Sequence, residues 1–151
     1  MKEYMKFFAN SISKSKKEGF LSSQKVVLVL EDDQRSGFLA LRECCDVVKF
    51  WVETYEDALE LLELGVIDLA LLDVNIGHRE KTGKDIGAIC SEKNVPHVYV
   101  TGVDAERNNH HTIIAVEIKN SNGDTLERIE ANKKEEKIWR RAYELLLQDK
   151  G

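Results

Sequence analysis

The chain has 151 residues, with 22 Lys and Arg against 27 Asp and Glu, a formal charge of −5 and 42% hydrophobic residues, which suits one globular domain and leaves no room for a second. A single Pro and nine Gly exclude collagenous and Pro-rich chains, and no apolar run approaches the roughly 20 residues that cross a bilayer, so a soluble protein without stable membrane insertion is expected. Residues 1–25 carry six Lys and two Glu, whereas residues 26–118 carry eight bases and eighteen acids; such a body repels nucleic acid and suits a divalent cation.

Residues 1–24 form an N-terminal extension, expected to be helical because Tyr4, Met5, Phe8 and Ile12 fall on one stripe. Its polar breaks at Asn10, Ser11 and Ser13 give no signal-peptide apolar core, and a cytoplasmic location is expected. Val26 to Leu30 is a continuous apolar run too short for a helix, as in a strand buried on both faces of a parallel sheet. Asp33 is expected to cap the helix that follows, whose apolar side carries Phe38, Leu39 and Leu41. Cys44 and Cys45, adjacent in sequence, bridge only with strain and read as reduced thiols.

Residues 47–52 are a second strand candidate, and Thr54 to Leu64 a helix with Thr54 as cap and Gly65 as stop. Ile67 to Leu72, broken only by Asp68, is the third strand, residues 84–91 a helix with Cys90 on its apolar side, and Val98 to Val100 the fourth strand. A short helix is then expected before a fifth strand over residues 113–118, with His110-His111 in a surface loop. Leu126 and Ile129 fit a last helix, and no Pro or Gly interrupts residues 125–148, which allows one long helix. Alternating strands and helices predict an α/β fold with a doubly wound, five-stranded parallel sheet and helical extensions at both ends. Trp139, Tyr143 and Leu146 form a C-terminal apolar face that predicts packing against the N-terminal helix or a second chain, with a homodimer through the terminal helices favoured.

Ligands of doubly wound sheets sit beyond the carboxyl ends of the strands. There the first strand ends in Glu31-Asp32-Asp33, the third in Asp73, the fourth in Thr101-Gly102 and the fifth in Lys119. Carboxylates from neighbouring strands suit Mg²⁺, a phosphoryl group attacked by Asp73 would be neutralised by that ion and Lys119, and Thr101 would hydrogen-bond it.

Residues 25–130 resemble the receiver domain of two-component response regulators, through Val-Leu-Val-Leu-Glu31-Asp32-Asp33, Leu71-Leu72-Asp73-Val74-Asn75, Tyr99-Val100-Thr101-Gly102 and Ile118-Lys119. The resemblance implies a flavodoxin-like fold and Asp73 as phosphoacceptor. It further implies Asp32 as a direct Mg²⁺ ligand, Glu31 as one through water, Asn75 as a backbone ligand, Thr101 as the switch hydroxyl and Lys119 as the phosphate-pairing lysine. It implies a histidine kinase or phosphotransfer protein as phosphoryl donor and a downstream protein partner. Such a protein is no turnover enzyme, since it catalyses only its own phosphorylation and dephosphorylation.

The chain departs from that family in four ways. Asn120 stands where a Pro usually follows the lysine, and no Pro follows Asn75. The loop between Asp73 and Gly83 is about two residues longer than usual, and the aromatic switch position is Val116. An unphosphorylated receiver-like interaction module is therefore one alternative. A haloacid-dehalogenase-type phosphatase is another, although Asn75 occupies the place of that family's second Asp. Residues 131–151 are expected to be a C-terminal helical extension.

Overall fold

Five short hydrophobic segments and one polar edge strand build the sheet. In the computed structural model, which describes residues 2–19, 25–44, 46–77, 80–107, 110–130 and 137–149, the strands are β1 (Val26–Leu30), β2 (Val48–Val52), β3 (Leu69–Asp73), β4 (His97–Arg107), β5 (His110–Lys119) and β6 (Thr125–Ile129). The helices are α1 (Glu3–Lys17), α2 (Gln34–Glu43), α3 (Tyr55–Glu63), α4 (Gly83–Glu92) and α5 (Ile138–Gln148). The sheet order is β2-β1-β3-β4-β5-β6. The first four strands are mutually parallel, and β5 and β6 are antiparallel additions.

Every residue of β1 and β3 is buried, because helices cover both faces of these central strands. On one face Leu28, Leu30, Phe50, Ala70, Leu72 and Tyr99 meet α1, α3 and α4. On the other, Val27, Val29, Leu71, Val98, Val100 and Ile118 meet α2 and α5. Asp68, which interrupts the third apolar run, stands just before β3, where its carboxylate accepts the Val26 N–H at 2.8 Å and pairs with Lys16 at 2.5 Å. A polar residue inside a buried run thus anchors α1 to the amino edge of the sheet. Burial pushes the free thiols of Cys44 and Cys90 up to about 11 and about 12, which keeps them protonated; Cys45 lies outside the described residues.

The α/β class holds, but the five-stranded parallel sheet does not. Instead of stopping at Gly102, β4 runs on to Arg107, which pairs with His110, so the expected short helix is replaced by a long antiparallel ladder. His110 and His111 accordingly lie in the β5 backbone rather than in a surface loop. The last helix expected around Leu126 and Ile129 is strand β6. Asn120 makes the turn before it, its side-chain oxygen accepting the N–H groups of Asn122 and Asp124 at 3.0 and 2.9 Å while Gly123 takes φ 88°. The chain therefore reverses before residue 125, and no helix spans residues 125–148.

The terminal helices are layers of this body. Helix α1 buries Ala9 and Ile12, with Phe8 against Phe50 at 5.4 Å between ring centroids. Trp139, Ala142, Tyr143 and Leu146 of α5 are buried on the opposite face of the sheet, and Arg141 grips Glu127 of β6 through two 2.8 Å hydrogen bonds. The partner expected for Trp139, Tyr143 and Leu146 was α1 or a second chain; their partner is α2 and the sheet. Trp139, Tyr143 and Leu146 therefore need no second chain to bury them. No helix of the described residues is long and apolar enough to cross a membrane.

Candidate functional site

Strands β1 and β3 are neighbours with Leu30 beside Leu72, so the residues that follow them emerge together at the carboxyl edge. Glu31, Asp32 and Asp73 each offer a carboxylate oxygen there, all within 4.8 Å of one another. Glu31 and Asp73 are buried, 2% and 5% exposed, and Asp32 is exposed. Three hard oxygen donors at this spacing suit a divalent cation such as Mg²⁺, and an ion would offset the mutual repulsion of the acids.

The surrounding backbone holds the acids in position. The Glu31 side chain accepts the Asp33 N–H at 3.0 Å and the Ser36 hydroxyl at 3.4 Å, and its carbonyl accepts Trp51 Nε1 at 2.8 Å. Asp32 accepts the Gly77 N–H at 2.8 Å, a contact that needs the left-handed turn at Gly77, φ 73°. That bond ties the loop after β3 to Asp32 and leaves exposed Asn75 between two fixed points, Asp73 and Gly77. Asp33 caps α2, its Oδ1 accepting the Ser36 N–H at 2.9 Å.

This division of labour between adjacent aspartates has a measurable consequence. Asp32→Ala should weaken Mg²⁺ binding, whereas Asp33→Ala should chiefly lower stability by about 0.5–2 kcal/mol through the lost cap. Metal titration and urea unfolding of both variants check this; the reverse ordering would shift the site by one residue.

Thr101 and Lys119 are not part of the acid cluster. Because β5 is antiparallel, Lys119 enters the ladder opposite Tyr99 instead of leaving the carboxyl edge, and Thr101 pairs with Glu117. Alternation along β4 puts Thr101 on the face of Tyr99, away from Val100, which stands opposite Asp73. Thr101 and Lys119 line a separate pocket of about 340 Å³ with Val74, Tyr99, Ser121 and Lys84. Lys119 reaches Glu117 at 3.8 Å. Lys119 thus stands level with the end of β3, two strands away, in a pocket that also includes Val74, the residue after Asp73. Val116 is fully buried opposite Gly102, where it packs on the α5 side of the sheet.

Lys84 is a site residue that sequence reasoning missed. Its position is set by a capping box in which the Thr82 hydroxyl accepts the Lys84 N–H at 3.2 Å and Asp85 accepts the Thr82 N–H at 2.7 Å. The helix expected over residues 84–91 already begins at Lys84, but only the antiparallel pairing of β5 with β4 brings that lysine into one pocket with Thr101 and Lys119.

Comparison with known proteins gives no matching family, no matching curated protein and no matching solved structure.

Proposed function

We propose that this protein is a receiver-like phosphoacceptor in which Glu31, Asp32 and Asp73 hold Mg²⁺ and Asp73 accepts a phosphoryl group from a histidine kinase or phosphotransfer protein. One observation carries the reading: carboxylate oxygens from the ends of two adjacent parallel strands converge within 4.8 Å at the edge where doubly wound sheets bind ligands. Bound there, Mg²⁺ supplies charge neutralisation for phosphoryl transfer. Asp73 is the nucleophile in this scheme because it belongs to the strand itself and is buried, whereas Asp32 is open to solvent and suited to a metal ligand. Asn75 offers its carbonyl from the loop that Asp32 draws in. The product alters a contact surface for a downstream partner, and the chain turns over no other substrate.

The pairing of Lys119 with Glu117 at 3.8 Å favours a second reading, an interaction module with the same acids that is never phosphorylated, since that lysine already has an acid partner. Mass spectrometry after incubation with acetyl phosphate and Mg²⁺ separates the two. The first reading expects one acid-stable, alkali-labile phosphoryl group that Asp73→Asn abolishes, since an amide cannot form an acyl phosphate. Undiminished labelling of the variant would sink the assignment of Asp73, and an unlabelled wild type that still binds Mg²⁺ would leave the second reading.

A further inference from the structure

Helices α1, α3 and α4 cover one face of the sheet only as far as β4, whose last buried residue in that core is Tyr99. Of the buried residues of β5, Val116 and Ile118 face the other way, toward α5, and only the small Ala115, opposite Val103, lies on the Tyr99 face. Beyond Tyr99, the uncovered strip of β4 and β5 meets the flank of α4 in the pocket of about 340 Å³ described above. Its apolar lining residues are Tyr99 and Val74, and its polar ones are Lys84, Lys119, Thr101, Ser121 and Asn122, with Gly123 beside them.

The charge balance in this pocket is positive. Lys84 is exposed and, among the described residues, makes no ion pair. Glu117, the nearest acid to Lys119, is shared with Arg128 at 3.6 Å and with the Thr125 hydroxyl at 3.1 Å. Burial raises the pKa of Tyr99, so its phenol adds no negative charge. Two lysines and two hydroxyls over an aromatic floor supply donors for an anion and none of the acids a cation would need.

We propose that this pocket binds a small phosphate monoester. Lys84 and Lys119 pair with its phosphate, Thr101 and Ser121 donate hydrogen bonds to it, and Val74 and Tyr99 cover its apolar part. The site uses no metal and no transfer to Asp73, so it stands or falls apart from the phosphoacceptor reading. At about 340 Å³ it lies at the small end of ligand pockets, which limits the ligand to a compact organic phosphate.

Titration of the full chain in EDTA with phenyl phosphate and with inorganic phosphate, followed by amide shifts and calorimetry, tests the site. Saturable binding is expected, tighter for phenyl phosphate because only it reaches the apolar floor. Lys84→Ala and Lys119→Ala should each weaken it about tenfold, the ordinary effect of losing one charge-assisted hydrogen bond. Asp73→Asn should leave it unchanged. Absence of saturation up to about 10 mM would overturn the site. So would loss of binding in Asp73→Asn, which would assign the anion to the acid cluster, or equal affinity for the two probes, which would remove the apolar floor from the site.

Discussion

Trp139→Ala is expected to lower stability by about 3–5 kcal/mol in urea unfolding, the range for truncating a fully buried Trp. Trp139 is 0% exposed and the largest of the fully buried side chains. Its indole Nε1 donates to the Ser36 hydroxyl at 2.9 Å, and its backbone N–H donates to Glu43 at 3.2 Å, so both the ring and the start of α5 are tied to α2. Trp139→Phe should recover much of the apolar burial while leaving Ser36 without its indole donor, at a cost of about 1–3 kcal/mol. Because the contact is within one chain, both losses should be independent of protein concentration; a concentration-dependent loss would reinstate a dimer held together by α5. The effect should also reach the acids, because the same Ser36 hydroxyl lies 3.4 Å from Glu31.

The parallel half of the fold was legible in the sequence for a specific physical reason. Val26 to Leu30 and Leu69 to Leu72 are uninterrupted apolar runs of strand length, which only a sheet covered on both faces buries, and their polar successors then had to emerge together at one edge. Asp33 and Thr54 were legible as caps because short oxygen-bearing side chains satisfy the first N–H groups of a helix. The antiparallel half departs from the expected alternation because the turn at Asn120 to Gly123 reverses the chain before β6. Asn122-Gly123 before β6 is a turn-forming pair flanked by strand residues and among the strongest short hairpin signals. Glu31, Asp32 and Asp73 come together as expected, while Lys119 reaches the level of Leu72 from a strand running the opposite way. The acids depend on the parallel register of β1 and β3, whereas the position of Lys119 depends on the direction of β5. Leu126 and Ile129, three apart, matched a helix, yet one irregularity in the β5–β6 ladder lets both pack on the sheet from a strand.

Gly83→Ala is expected to disturb the acid site more than any change at an exposed glycine, because Gly83 is where α4 touches the end of β3. Its N–H donates to the Val74 carbonyl at 2.8 Å, and a Cβ there would fall far inside contact distance of the Asp73 carbonyl oxygen. That neighbour is backbone and cannot turn aside as a flexible side chain would, so relief requires moving either the end of β3 or the first turn of α4. Movement of β3 carries the Asp73 carboxylate away from Glu31 and Asp32, and movement of α4 breaks the Gly83–Val74 hydrogen bond that steadies the residue after Asp73. The cost should fall at or above the upper part of the 1–3 kcal/mol range typical of overpacking, about 3 kcal/mol. Gly77→Ala provides the contrast. Its Cβ would meet open space, and the penalty is the left-handed backbone at φ 73°, about 1–2 kcal/mol. Urea unfolding ranks the two, and the amide shifts of Glu31 and Asp73 report the geometry without any metal present. Large shifts at both residues are expected for Gly83→Ala. A Gly83→Ala protein that unfolds like the wild type and leaves those amides in place would mean that α4 does not abut β3 here, and that the loop from Val74 to Thr82 alone holds Asp73 in the cluster.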